Sequence, residues 1–296
     1  MKSSSLRFIA AAAALLLAPI FAASTRVAAQ QTPATPPASS TPAQQQTQPG
    51  QSQTTPSTDT LPSALPSATV DPAEETDYKA FAALKPEDTD KRIAAGDAFV
   101  AKYPNGHYTG AVYSALTSAE YAKQDIPKVE ADGEKAIAAN PDDISSLIII
   151  ATLIPRDKNT ASDPKQLDKA EAYAKHALTM IPSLQKPATL TDDQFAAMKN
   201  NAEVQSHSAL GLIYFRKQNV DGCVTELKAS TADAKNPDAT DYYVLGICQN
   251  AQSNYADAAD SFTKCANLQS ALSAGCKQKA DEAKAKGGNA KPSLSK

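Results

Sequence analysis

The stretch SALGLIYFRKQNVDGCVTELKAS, residues 208–230, returns 35 residues later as YVLGICQNAQSNYADAADSFTKCAN, residues 243–267. The Leu-Gly pair at 210–211 recurs at 245–246, and each glycine is followed sixteen positions later by a large apolar residue. Apolar residues in both segments recur at intervals of three and four, without the alternation that a half-buried strand shows. These two segments therefore predict two successive copies of one helical unit.

This self-similarity, with Leu-Gly early and a large apolar residue later, resembles the tetratricopeptide repeat, whose period is about 34 residues. Residues 167–182, with Ala170, Ala174 and Ala177 at helical spacing before Pro182, match the second helix of such a unit, and residues 111–141 match a whole unit. In that family each unit is a pair of antiparallel helices, and neighbouring pairs stack into a superhelix. The resemblance implies an all-α fold over residues 73–286, a right-handed α-solenoid of about four to five tetratricopeptide-type hairpins with a C-terminal capping helix.

Two segments depart from the regular pattern. Thr191 to Gln194 forms a capping-box sequence, which predicts that the first helix of the fourth unit begins about three turns early. Residues 273–288, SAGCKQKADEAKAKGG, are predicted to form the polar closing helix that covers the last apolar face of a repeat array.

Three segments outside the repeats have other predicted roles. Residues 1–29 have the charged, apolar and small-residue order of a secretory signal, with cleavage expected after Ala29. The apolar run, about sixteen residues, is shorter than the roughly 20 that a membrane span needs, although an uncleaved anchor is the alternative. Residues 30–72 hold nine of the twenty prolines and few large apolar side chains, which predicts a disordered linker, and residues 287–296 are predicted to be a flexible tail.

The charge of the chain excludes some classes of partner. Without residues 1–29 the chain keeps 26 basic and 32 acidic residues, and it contains no lysine- or arginine-rich stripe. Affinity for nucleic acid and for anionic membranes comes largely from such stripes. We therefore expect no nucleic-acid partner, and membrane association only if the N-terminal segment is not cleaved.

The sequence offers no constellation for catalysis or for a cofactor. His107, His176 and His207 each lack a second ligand at helical spacing, so no metal site is expected. No strained nucleophile turn of the G-x-S-x-G kind and no phosphate-binding glycine loop occurs. The sequence thus predicts a protein that is not an enzyme, with no cofactor and no metal.

By the resemblance, the functional surface would be a concave groove lined by the first helices of the units. Aliphatic, aromatic and arginine side chains on those helices suit a protein or peptide partner with apolar anchors. The groove residues implied in this way are Tyr121, Ile148, Arg156, Leu212, Phe215, Arg216, Tyr243, Ile247 and Asn250.

The four cysteines lie in the last two units and the closing helix. An exported chain enters an oxidising compartment, where disulfides form and persist. The repeat register favours the pairs Cys223–Cys248 and Cys265–Cys276, and four buried thiols acting as small hydrophobic groups are the alternative.

Three functions remain open on this basis. The first is a non-enzymatic scaffold of the bacterial cell envelope, periplasmic or secreted, that binds a partner in its groove. The second is a self-associating or envelope-organising component, and the most remote is an enzyme acting on the cell wall.

Overall fold

The computed structural model of the protein describes residues 70–232 and 234–289. The predicted signal segment, nearly all of the predicted linker and most of the predicted tail lie outside these residues. The described residues form eleven α-helices and one short 3-10 helix, Ile181–Ser183, and no strand occurs among them. The α-helices are α1 (Pro72–Ala82), α2 (Thr89–Lys102), α3 (Thr109–Lys123), α4 (Ile126–Ala139), α5 (Ile144–Leu153), α6 (Pro164–Met180), α7 (Asp192–Arg216), α8 (Val220–Ala232), α9 (Ala239–Ala251), α10 (Tyr255–Asn267) and α11 (Ser273–Asn289).

Several helices begin where a side chain satisfies the first free backbone N–H groups. Asp71, Asp163 and Asp238 each accept a hydrogen bond at 2.9 Å from the backbone N–H two residues later. Proline occupies the first position of α1 and α6, where its missing N–H has no intrahelical partner to lose. These caps fix the entry points of α1, α6 and α9.

Three hairpin turns have the same backbone structure. Gln124, Gln218 and Ser253 follow α3, α7 and α9, and their φ angles are 60°, 59° and 62°. In each turn, the N–H of the residue with positive φ donates to the carbonyl three residues before it. The N–H of the following residue donates to the carbonyl five residues before itself. This is the Schellman arrangement that ends a helix in a left-handed residue. Gln218 and Ser253 are 35 residues apart, so the turn repeats with the period of the sequence.

Within a hairpin, a glycine on the first helix allows the second helix to approach closely. A Cβ atom on Gly246 would lie 2.7–2.8 Å from three ring carbons of Phe262, and one on Gly211 would overlap the side chain of Leu227. Both large side chains are fully buried, with 1% and 0% of their surface exposed. The Leu-Gly pairs of the sequence therefore mark the points of closest helix contact.

The helices pack in chain order, each against the next, from α1 to α11. Five hairpins, α1–α2 to α9–α10, are followed by α11, whose Ala280 and Ala283 cover Ala258 and Phe262 of α10. The predicted fold class is confirmed: the described residues form an all-helical α-solenoid with a C-terminal closing helix. Its helices begin at Pro72 and end at Asn289.

Helix α7 is the longest described element, with 25 residues. The capping box is present, because the Thr191 hydroxyl accepts from the Gln194 N–H at 3.2 Å and the Gln194 side chain accepts from the Thr191 N–H at 2.9 Å. The start of α7 lies twelve residues further from Gly211 than the start of α9 lies from Gly246, which corresponds to about three helical turns. The predicted extension is therefore observed.

Candidate functional site

The first helices of successive hairpins form a row. Contacts join α3 to α5, α5 to α7, and α7 to α9. Eight of the nine groove residues lie on these four helices, and Arg156 lies in the turn just after α5. The row therefore provides one surface along which a partner could contact several hairpins.

The apolar members of this set differ in exposure. Ile148 and Leu212 are each only 5% exposed, and they belong to the hydrophobic clusters between neighbouring hairpins. Phe215, Tyr243 and Ile247 are half-buried against the same packing, and the Tyr243 ring meets Phe262 edge-on at 6.0 Å. Tyr121 is 40% exposed. Aromatic rings thus reach the surface, whereas Ile148 and Leu212 support it from below.

The two arginines are held by neighbouring elements. An Arg156 guanidinium nitrogen lies 3.2 Å from the Asp238 carboxylate, at the start of α9. The Arg216 Nε donates to the carbonyl of Pro155 at 2.9 Å. These contacts join the ends of α5, α7 and α9, so the two arginines hold neighbouring first helices together.

A buried carboxyl group lies between α7, α8 and α9. Asp241 is 3% exposed, and its two oxygens accept hydrogen bonds from Ser208 at 2.8 Å and from Ser230 at 3.0 Å. Burial raises the pKa of Asp241 to about 6, and the nearby Asp238 adds to this, against the opposing effects of Arg156 and the two hydroxyls. Asp241 is therefore expected to take up a proton at a higher pH than an ordinary aspartate does.

Some polar atoms on the row have no hydrogen-bond partner among the described residues. They include Thr152 Oγ on α5 and Asn250 Oδ1 on α9, both shielded from solvent. Buried polar atoms in folded proteins are nearly always paired.

Outside the row, three carboxyl groups converge from α2, α3 and α4. One oxygen each from Asp97, Glu120 and Asp132 lies within 4.8 Å of the others. Glu120 is fully buried and neither of its oxygens has a hydrogen-bond partner among the described residues. Burial raises the pKa of Glu120 to about 7, Asp132 adds to this, and Lys128 opposes it. Only oxygen donors are available at this cluster, which suits a hard cation such as Ca²⁺ or Mg²⁺ rather than zinc.

Sequence reasoning missed this cluster because its members are 23 and 12 residues apart on three different helices. The available signal was the position of Glu120 on α3, next to Ala119 and four residues after Leu116, which are both buried. A glutamate on the buried face of an amphipathic helix is unusual and needs a partner. That position is the feature that could have revealed the cluster.

The histidines do not converge on one another. His176 Nε2 lies 2.7 Å from Asp142 at the surface, and His207 Nδ1 lies 2.7 Å from Glu226 of α8. His107 lies edge-on to Tyr108 in the turn before α3. Within the described residues, the carboxylate cluster is the one group of three potential metal ligands.

All four cysteines are paired in the structure. Cys223 of α8 is joined to Cys248 of α9, with 6.4 Å between the α-carbons, and Cys265 of α10 is joined to Cys276 of α11 at 5.9 Å. Each bond links two consecutive helices, the first across two hairpins and the second between the last hairpin and the closing helix.

Two clefts in the described surface involve the last helices of the array. One of about 490 Å³ lies between α8, α9 and α10 and is lined by side chains such as Lys228 and Tyr242. Another of about 540 Å³ lies between α10 and α11. None of the nine groove residues lines either cleft. No helix within residues 70–232 or 234–289 combines the length and the apolar character needed to cross a membrane.

Comparison with known proteins adds little to this description. No protein-family model matches the chain, and no curated protein matches it. Among solved structures, it is similar to the crystal structure of TTC0263, a thermophilic TPR protein in Thermus thermophilus. The two chains are 12% identical with a TM-score of 0.42, and the match covers 72% of this chain and 99% of the other.

Proposed function

We propose that this protein is a non-enzymatic tetratricopeptide-type scaffold that binds a partner protein or peptide along the row of first helices. One observation carries the proposal: four consecutive first helices lie side by side, and three of them carry an exposed or half-buried aromatic ring, at Tyr121, Phe215 and Tyr243. Aromatic anchors between polar groups are the usual composition of a protein-binding surface. The partner expected for this surface is an extended or helical segment with apolar side chains.

We place this function in the bacterial cell envelope. Residues 1–29 support export, and the four paired cysteines fit an oxidising compartment. Residues 30–72 would then act as a flexible tether between the export signal and the repeats.

Site-specific photo-crosslinking tests the proposed surface. A photoreactive phenylalanine analogue placed at Tyr121, Phe215 or Tyr243 is expected to capture one and the same partner in envelope fractions. Ala172 and Ala256 are exposed positions on the second helices α6 and α10, and they serve as matched controls. Capture of that partner equally from Ala172 and Ala256 would contradict the proposal, as would the absence of any product from the three row positions.

Measurement of mass in solution distinguishes the proposal from self-association. If the groove is free, deletion of residues 30–72 is expected to lower the mass in solution only by the mass of the deleted segment. If the groove is filled by the tether of another copy, the deletion reduces the mass to that of one chain. That result would favour a self-associating envelope component instead.

A further inference from the structure

We propose that Asp97, Glu120 and Asp132 hold one Ca²⁺ ion at the junction of α2, α3 and α4. One carboxylate oxygen from each residue lies within 4.8 Å of the other two. Calcium binds oxygen at about 2.3–2.6 Å, so two ligands on opposite sides of one ion are about 4.8 Å apart. The three oxygens thus already lie within the span of a single coordination sphere. This site is separate from the proposed partner surface and does not depend on it.

Glu120 is the observation that points to a ligand. Its side chain is completely shielded from solvent, and both of its oxygens lack a hydrogen-bond donor among the described residues. A buried carboxylate without a donor is strongly unfavourable, because the ion has lost its water without replacement. A bound cation supplies the missing interaction and simultaneously cancels the repulsion from Asp97 and Asp132.

The two lysines near the cluster do not supply the hydrogen bond that Glu120 lacks. Lys128 Nζ lies 3.3 Å from Asp97 and 3.9 Å from Glu120, so it is too far from Glu120 to donate a hydrogen bond. Its side chain is 45% exposed, which leaves it free to turn towards solvent when an ion binds. Lys135 lies 2.9 Å from Asp132 Oδ1, and its side chain is also largely exposed.

Ca²⁺ fits this ligand set better than other common divalent ions. No histidine or cysteine contributes, which disfavours zinc, whose sites are rich in nitrogen and sulfur. Carboxylates from three separate helices give an irregular arrangement, and Ca²⁺ accepts six to eight oxygens in flexible geometry. Mg²⁺ instead demands a near-ideal octahedron. Water molecules on the exposed Asp97 side would complete the sphere.

Calorimetric titration of the chelator-treated protein with CaCl₂ tests the site. We expect one ion per chain, with MgCl₂ binding at least tenfold more weakly. Glu120→Gln keeps the shape of the side chain and removes its charge, and it is expected to weaken Ca²⁺ binding by at least the 10- to 100-fold that loss of a supporting group costs at metal sites. Glu130→Gln is the matched control, because Glu130 on α4 also keeps an unpaired, shielded oxygen but lies outside the cluster.

A thermal readout accompanies the titration. Ca²⁺ is expected to raise the Tm of the wild type and of Glu130→Gln and to leave that of Glu120→Gln unchanged, since an ion stabilises the state that binds it. The proposal is overturned if the wild type binds no Ca²⁺, or if Glu120→Gln binds it as tightly as Glu130→Gln. If Glu120→Gln fails to fold, Asp97→Asn, at an exposed position, replaces it in the test. The proposal is then overturned if Asp97→Asn binds Ca²⁺ as tightly as Glu130→Gln does.

Discussion

Asp241 shows how a single residue can contribute to architecture at a cost to stability. Its carboxyl group joins Ser208 of α7 and Ser230 of α8 to the start of α9. Two hydrogen bonds favour the charged form, but burial opposes it more strongly and raises the pKa to about 6. The folded state therefore binds a proton more tightly than the unfolded chain does.

Stability is predicted to fall as the pH rises through the pKa of Asp241. The contribution of this residue is fully present below about pH 4 and is lost as the pH passes about 6, because only the folded state still holds the proton in that range. The difference from an ordinary aspartate corresponds to about 3 kcal/mol, at about 1.4 kcal/mol for each pH unit. Asp241→Asn is expected to flatten the free energy of unfolding between pH 4 and 7 and to raise it at pH 7.

Denaturant unfolding across that pH range measures the effect. The asparagine still accepts from one serine and donates to the other, so its packing is conserved. Asp281→Asn changes an exposed carboxylate of α11 and is the control. Its free energy of unfolding is expected to depend on pH as that of the wild type does. A profile for Asp241→Asn that follows the wild type throughout would contradict the argument.

The sequence predicts residues well inside a repeat unit and poorly where neighbouring hairpins meet. Gly246 is identified by its counterpart 35 residues earlier, and the structure gives the physical reason in the ring of Phe262. Leu212 is placed on the correct helix, but its burial depends on how neighbouring hairpins tilt, which no local pattern encodes. The cluster around Glu120 was missed for the same reason, because it depends on three helices at once.

At the scale of elements, the hairpin depends on one close contact between its two helices. Helix α9 and helix α10 approach at Gly246 and Phe262, and the turn between them requires Ser253 in the left-handed conformation. The glycine is needed for space rather than for an unusual backbone conformation. A side chain at this position would push the two helices apart.

Gly246→Ala is predicted to destabilise the protein by about 1–3 kcal/mol, the usual cost of overpacking a core. The added methyl group would overlap the Phe262 ring, which is fully buried. Thermal or urea unfolding measures the loss. The double variant Gly246→Ala with Phe262→Leu is expected to recover part of the lost stability, because the ring that the methyl group overlaps is removed.

Gly275→Ala is the control, and it is expected to raise the stability of the protein rather than lower it. A Cβ at this position of α11 meets nothing within 4 Å, so the substitution only improves helix propensity, by up to about 1 kcal/mol. Equal destabilisation of both alanine variants would mean that the close contact with Phe262 is not what makes Gly246 necessary.

The elements themselves are largely readable from the sequence. The start of α7 follows from its capping box, and the closing helix follows from its polar composition. The left-handed turn residues are less visible, because Gln218 and Ser253 occupy positions where glycine would be the usual choice. Their role becomes clear only when the turns are compared as copies of one another.

Across the whole molecule, both disulfides lie in the last four helices. Cys223–Cys248 joins α8 to α9 and Cys265–Cys276 joins α10 to α11, whereas the described helices before α8 contain no cysteine. In a repeat array each unit contacts only its neighbours, so stability can differ from one end to the other. The C-terminal end is expected to be the more resistant one.

Reduction is predicted to weaken only that end. Hydrogen exchange should become faster in α8–α11 when the bonds are reduced, by an amount corresponding to about 2–4 kcal/mol for each bond, while α1–α4 keep their rates. Titration of the denatured, unreduced protein is expected to find no free thiol. A variant with serine at all four positions controls for the reductant and should show no response to it. Four reactive thiols, or a uniform change of exchange rates, would refute this prediction.

The length of α7 has a consequence for how a ligand is positioned. A periodic surface offers a bound chain several equivalent registers, each displaced from the next by one repeat. Among the first helices that the structure describes, α7 alone has twelve additional residues before its regular part, so it breaks this translational equivalence. If a partner binds along the row as proposed, contact with the extension of α7 would give it one alignment along the row and not four.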